Sequence, residues 1–530
     1  MKVRYLFILF FIIIMIYAFY RVKIQKKDNK NTENYIAQSN VLETKKAKEI
    51  ILAIPELDTI NPIITSNKKV QDISTLIYEP LIGINENYQI EYCLAKECAK
   101  TSSNAYIIKL REAVKWSNGT KFTSNDVKFT IDKLKENTNS VYSSNVSKIK
   151  EVDIIDNYTL KIILENEVRF FEYYLNFPIL SSTYYANEDF VNTEKNKMPI
   201  STGKYKISEV NYNSIILEKN KNWWKENNST IEKININLYS SVAEMYNAFK
   251  MGRIDLISTQ NENYESFVGT IGYDTGEIDG RNFVFLALNT HSKFLADKNI
   301  RKAIRNSIDK NRVISNSYGK MYKETNFPLN QNTYLVNQNN ENFYNIDEKT
   351  NYLQSAGWEL KDGIWQKMIN NKWTILELNL VVRASDTTRC KAAEDIKNQL
   401  QEQGIVINIT YADDNSYNAY LNNVNYDLML GKIEQSLAPD LTTYLGQNNF
   451  ANFYNQEVTD IISYLSNISD ENELKSKYQR LYEIYNEEVP YIGIARNKIL
   501  TVKNTNLVGE IKANWYSMFY KIDEWYKIDG

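Results

Sequence analysis

The chain has 530 residues, with 63 Lys and Arg against 65 Asp and Glu, a net charge of −2. That balance argues against nucleic-acid binding by bulk charge, since following a phosphate backbone takes a basic face. A single histidine, His291, excludes multi-histidine metal sites and makes histidine acid–base catalysis a poor reading.

The chain opens with an apolar run. Leu6 to Tyr20 holds no polar residue except two tyrosines; Lys2 and Arg4 precede it, and Arg21, Lys23, Lys26 and Lys27 follow. A spanning helix takes about 20 residues, and flanking Lys and Arg relax that figure by reaching to the interface. Val3 to Val22 therefore suffices. A cleaved signal would end on a small-x-small site, which Tyr17-Ala18-Phe19-Tyr20-Arg21 does not supply. A lipid-modified start would need a nearby cysteine, and the first is Cys93. The expectation is a signal-anchor over residues 1–27, followed by a polar tether over 28–47. A cleaved signal and a buried core helix are the competing readings. Flanking charge leaves the orientation open, because the C-terminal flank is the more basic.

Beyond the tether, strands and helices alternate. Glu49 to Ile54, Tyr106 to Leu110 and Thr159 to Leu164 read as strands. Thr123 and Asp126 open a helix carrying Val127, Ile131 and Leu134 at helical spacing. Ser241 and Glu244 open another, which Gly252 stops. Asp297 caps a helix with Ile300, Ile304 and Ile308 on one face. Asp347–Ala356 and Lys391–Gln403 read as helices, each ended by a glycine; strands follow at Ile405–Ile409 and Tyr426–Leu430. This alternation predicts an α/β fold. Cys93 and Cys98 lie about 16 Å apart on an extended strand, so a disulfide would need a turn between them; idle thiols are the other reading. Cys390 is single in either case.

Catalytic signatures are missing. The sequence has no G-x-S-x-G, H-E-x-x-H, phosphate loop or G-x-G-x-x-G, and no cofactor is expected. Paired carboxylates such as Glu487-Glu488 read as solvated faces. The 39 tyrosines and 8 tryptophans are more informative, because each joins an apolar face to a polar tip, as binding sites require.

Several segments carry a resemblance. They are Leu57-Asp58-Thr59-Ile60-Asn61-Pro62, Leu76-Ile77-Tyr78-Glu79-Pro80-Leu81, and above all Tyr106 to Val127, with K-L-R, a tryptophan, S-x-G and F-T-x-x-D-V in order. Thr202-Gly203-Lys204-Tyr205, Asn220 to Trp224, Gly252 to Leu256, Ile300 to Asp309 and Ala356-Gly357-Trp358 continue it. From residue 49 to 510 the chain resembles the large solute-binding proteins of ABC importers that carry oligopeptides, dipeptides or nickel, the bacterial extracellular solute-binding family 5. Ser201, Lys204, Asn118 and Cys98 depart from its usual residues, as in a divergent member.

The resemblance implies a two-lobed, periplasmic-binding-protein-like α/β fold closing on a solute. It maps lobe 1 to 48-80, 199-289 and 495-530, an inserted subdomain to 81-198, and lobe 2 to 290-494, with crossovers near Leu288-Asn289 and Ile494-Ala495. The implied partners are an oligopeptide or other small solute and ABC permease subunits, which places the body outside the membrane. Implied ligand residues are Ser66, Asn67 and Lys68 after the opening motif, Tyr142 in the insert, Asn289 at the first crossover, and Arg496, facing either a ligand carboxylate or an internal salt bridge. Gly431, Lys432, Ile433 and Glu434 match a loop that lies along bound peptide. Peptide-binding relatives hold the ligand ammonium with an aspartate just beyond, where this chain has Gln435. Either Glu434 takes that role or a free amino terminus is not gripped. Competing functions are capture of a metal chelate or oligosaccharide, and a peptide-signal receptor without transport.

Overall fold

The computed structural model describes residues 46–268, 272–338 and 342–529. The expected anchor over 1–27 lies outside them. Among the described residues no helix is long and apolar enough to cross a membrane. The end of the expected tether is structured instead: Lys46 and Ala47 pair with Ile528 and Lys527, tying the two ends of the body together.

Strand Glu49–Pro55 runs parallel to Lys233–Tyr239 in a four-stranded sheet completed by Ser214–Lys219 and Tyr205–Val210. A second four-stranded sheet, entirely from residues 95–164, holds Tyr106 to Leu110 and Thr159 to Leu164 side by side. One continuous apolar core joins the two, from Ile50 through Trp116, Phe122 and Leu164 to Trp525.

The family-like segments act as ties within this core. Trp116 Nε1 donates to Asp126 Oδ2 at 3.3 Å, the Thr123 N–H donates to the same oxygen at 2.8 Å, and the Ser182 N–H and hydroxyl reach Oδ1 at 2.8 Å. Trp223 and Trp224 both donate their indole N–H to the Glu79 carboxylate, at 3.1 and 2.6 Å. Gly203 passes so close to the Ile77 backbone that a Cβ would stand 2.7 Å from its carbonyl carbon. These side chains are spent on structure.

The largest sheet has seven strands. Two long antiparallel strands, Tyr273–Leu288 and Tyr491–Asn504, form its spine. Leu256–Thr259 pairs with one end of the spine, and Leu428–Glu434, Glu377–Arg383 and Val406–Ala412 extend it at the other. The spine ladder breaks twice. Asp279 pairs with Lys498 and Phe283 with Arg496, so Gly280 to Asn282 face Asn497 alone; Val284 pairs with Ala495 and Phe285 with Gly493, which leaves Ile494 as an extra residue. Asn497 Oδ1 accepts the Asn282 N–H at 2.9 Å across the first break.

Element boundaries follow the sequence reading to within a few residues, and three differences are informative. The 298 helix ends at Asn306, so Ile308 packs from outside it. Helix Thr387–Glu402 begins four residues early, because Asp386 caps it by accepting the Arg389 N–H. Gly431 to Glu434 are strand, not loop: they pair with Phe285, Val284, Phe283 and Asn282, so the spine occupies one edge of their backbone. All three cysteines are free thiols, and burial pushes Cys93 up to about 12.

Candidate functional site

A cleft of about 1170 Å³ opens beside the spine. Its walls come from helix Lys68–Ile77, Tyr142 and Phe177 of the 81–198 region, Trp223, spine residues Ile278 to Asn282, and the C-terminal stretch 514–523. Glu434 and Leu437 are its lining residues from 290–494, so nearly all the wall comes from residues outside that range.

The wall charges are largely paired with one another. Lys68 meets Asp72 at 2.5 Å, Lys204 contacts Asp523, and Arg281 Nη1 meets Glu434 Oε1 at 2.9 Å. Asp279 is ion-paired at 2.5 Å with Lys323. Lys69 donates to the Ser258 carbonyl at 2.7 Å; burial lowers its pKa, opposed by the Asp72 charge. Burial raises the Glu79 pKa against the two indole donors. A roomy cleft with self-neutralised walls and aromatic faces accepts ligands without demanding one net charge.

A smaller chamber of about 40 Å³ adjoins the cleft, with Leu437 and Trp515 bordering both. Asn330, Gln435, Asp440 and Tyr444 line it.

The family model for bacterial extracellular solute-binding proteins, family 5 Middle, matches residues 89–455. The chain belongs to that family. It is a solute-binding protein. It is 21% identical to the Oligopeptide-binding protein AppA of Bacillus subtilis, covering 90% of this chain and 91% of that one. Among solved structures it resembles the unliganded open form of MppA, a periplasmic murein tripeptide binding protein, at a TM-score of 0.76 and 17% identity, covering 92% of this chain and 98% of that one. It also resembles a nickel ABC transporter protein from Bacillus halodurans, at 0.72 and 19%, covering 89% and 98%. These likenesses establish the mixed α/β binding-protein fold.

Within this family 5 fold, the residues singled out in the sequence separate. Lys68, Tyr142 and Glu434 line the cleft. Ser66 and Asn67 hold the cleft helix: the Ser66 N–H donates to Asp58, and Asn67 caps the helix by accepting the Lys69 N–H at 2.9 Å. Asn289 is buried away from the cleft and donates to the Val424 and Tyr426 carbonyls. Gly431 faces the Phe285 ring, Ile433 packs into the aromatic core, and Lys432 reaches Asp386 at 3.1 Å. Arg496 is fully buried; it donates to Gly280 O, Leu329 O and Gln435 Oε1. Its hydrogen-bond partners are thus oxygens of neutral groups; burial lowers its pKa, opposed by the nearby Asp279 charge.

Sequence reasoning missed Asn330, Lys69 and the C-terminal wall. The run Asn514-Trp515-Tyr516-Ser517-Met518-Phe519-Tyr520 was the available signal, since such aromatic density at the chain's end is unusual for a polar tail.

Proposed function

We propose that this family 5 protein captures oligopeptides outside the cytoplasm and delivers them to an ABC permease. The observation that carries this reading is the cleft, whose volume exceeds the upper part of the roughly 300–1,000 Å³ range of small-molecule pockets and whose charged walls are already paired. In this reading 48-80, 199-289 and 495-530 form one lobe, 81-198 is its inserted subdomain, and 290-494 is the second lobe. The double break in the spine supports a hinge there, because a ladder with unpaired residues bends more easily than a continuous one. Closure would bring the second lobe onto a ligand already resting on Lys68 and Tyr142, with Glu434 at the rim. Residues 1–27 would remain as a membrane anchor.

Mass spectrometry of ligand co-purifying with the full-length protein tests the solute. Peptides of mixed sequence and narrow length range are expected; a homogeneous sugar or metal chelate would overturn the peptide assignment. N-terminal sequencing of the cell-derived protein tests the anchor. An intact start is expected in the membrane fraction, and a start near residue 28, or release into the medium, would remove it.

A further inference from the structure

The small chamber beside the cleft carries an unusual set of buried donors. Gln435 is 5% exposed and Asn330 3%. Every polar atom of Gln435 is engaged. Its N–H donates to Arg281 O at 2.8 Å, its carbonyl accepts from Arg281 Nε and Nη2 at 2.9 and 2.6 Å, and Oε1 accepts from Arg496. Nε2 donates to the Tyr444 hydroxyl. A guanidinium can only donate, so the amide cannot be flipped: oxygen must face Arg496 and the NH₂ must face away from it. Asn330 is oriented by the same logic. Its Oδ1 accepts the Asn332 N–H at 2.8 Å, which leaves Nδ2 without a partner. The buried Trp515 indole N–H, which can only donate, is also without a partner.

Two unpartnered donors, Asn330 Nδ2 and the Trp515 indole, therefore border one space, at the point where Trp515 joins chamber and cleft. Two other polar groups are present. The buried Tyr444 hydroxyl accepts from Gln435 Nε2, which leaves its own hydrogen to donate. Asp440 contributes a carboxylate whose Oδ1 already accepts from the Thr442 N–H and hydroxyl, at 2.9 and 2.5 Å. Buried donors left unmade are costly, and each unsatisfied group in a native fold calls for a partner. The chamber exceeds the roughly 10–15 Å³ that one water-sized group needs.

We propose that this chamber receives a hydrogen-bond acceptor of the ligand, a carboxylate or an uncharged acyl oxygen, and rejects an ammonium. The assignment rests on the peptide-capture reading for its ligand but not for its chemistry. An acceptor satisfies the Asn330, Trp515 and Tyr444 donors together. An ammonium would set its own hydrogens against them, and a site built to pair with one group excludes an analogue that leaves its buried groups unmet.

The test uses full-length protein labelled with 5-fluorotryptophan, with the Trp515 fluorine resonance assigned through Trp515→Phe. Sodium acetate, N-methylacetamide and methylammonium chloride are titrated at constant ionic strength. Acetate or N-methylacetamide should move the Trp515 resonance saturably, and methylammonium should not. Acetate alone assigns a carboxylate; N-methylacetamide alone, or both, assigns an acyl oxygen. Gln435→Glu keeps shape and the Arg496 contact but exchanges the donor facing Tyr444 for an acceptor, which draws the Tyr444 hydrogen out of the chamber. It should weaken the effective probe at least tenfold, and Asn330→Asp should act likewise. A response to methylammonium in the wild type, or to none of the three probes, overturns the proposal. A second titration uses a random pentapeptide pool in free, N-acetylated and C-amidated forms. If the small probes respond but no peptide form binds, peptide capture fails and the chamber's acceptor chemistry stands. If free-amine peptides bind tenfold better than acetylated ones, the chamber assignment fails and peptide capture stands.

Discussion

Gly203 shows at single-residue scale how little freedom the family-like segments have. Backbone atoms of Leu76 and Ile77 surround the place of its absent Cβ, all within 2.9 Å. Backbone cannot step aside as a flexible side chain can. Gly203→Ala should therefore destabilise the protein by roughly 1–3 kcal/mol, the usual cost of overpacking, read by urea unfolding. Asp386 is a titratable counterpart. Burial pushes its carboxyl up, but the Arg389 N–H, the Arg389 guanidinium and Lys432 together hold it at about 2, below the ordinary 3.8. A carboxylate with a depressed pKa stabilises the fold fully above its unfolded value. That contribution fades as pH falls through the folded value. Asp386→Asn should cost about 1 kcal/mol at pH 7, allowing for solvent screening, and close to nothing at pH 2. Urea midpoints at the two pH values check this; an equal loss at both would mean that charge is not the cause.

At the scale of elements, the spine strands decide what the cleft-side segments can do. The family resemblance makes Gly431 to Glu434 a loop, and a glycine, a lysine and a glutamate do interrupt the apolar run there. They form strand because the facing partner, Phe283 to Phe285, is apolar and fully buried, and a paired backbone satisfies donors that would otherwise be stranded there. The break at Gly280 is equally local in origin. A Cβ on Gly280 would fall 2.1 Å from Asn497 Oδ1, the oxygen that accepts the Asn282 N–H. Gly280→Ala should push Asn497 aside and strand that N–H, lowering the melting temperature. Asn497→Ala should lower it too, and the double variant should cost less than the sum, because the two changes remove one contact. Strict additivity would show that Gly280 and Asn497 act separately.

At the scale of the whole molecule, the expected motion is closure about the spine. Ligand that binds only the closed form stabilises the native state by RT ln(1 + [L]/Kd), about 2.7 kcal/mol at a hundredfold excess over Kd. Some member of a mixed peptide library should raise the melting temperature of the full-length protein, and the radius of gyration from X-ray scattering should shrink with it. A thermal shift without compaction would mean that binding occurs on a rigid cleft.

The sequence by itself determined the class of the protein and most of its elements. Caps such as Asp126 and Asp297, glycine stops such as Gly252, and the run of segments from Leu57 to Trp358 are local patterns, and local patterns are legible one residue at a time. They named scaffold residues more readily than ligand contacts, because Glu79, Asp126 and Gly203 serve packing that only their exact types satisfy. The site itself was decided by tertiary structure. Gln435 shares a chamber with Asn330 and Trp515, residues more than a hundred and eighty positions apart at the extremes. Which way its amide points depends on Arg496, which comes from the far strand of the spine, beyond Tyr273–Leu288. No spacing rule encodes that meeting, since burial and hydrogen-bond direction arise only once the strands have paired.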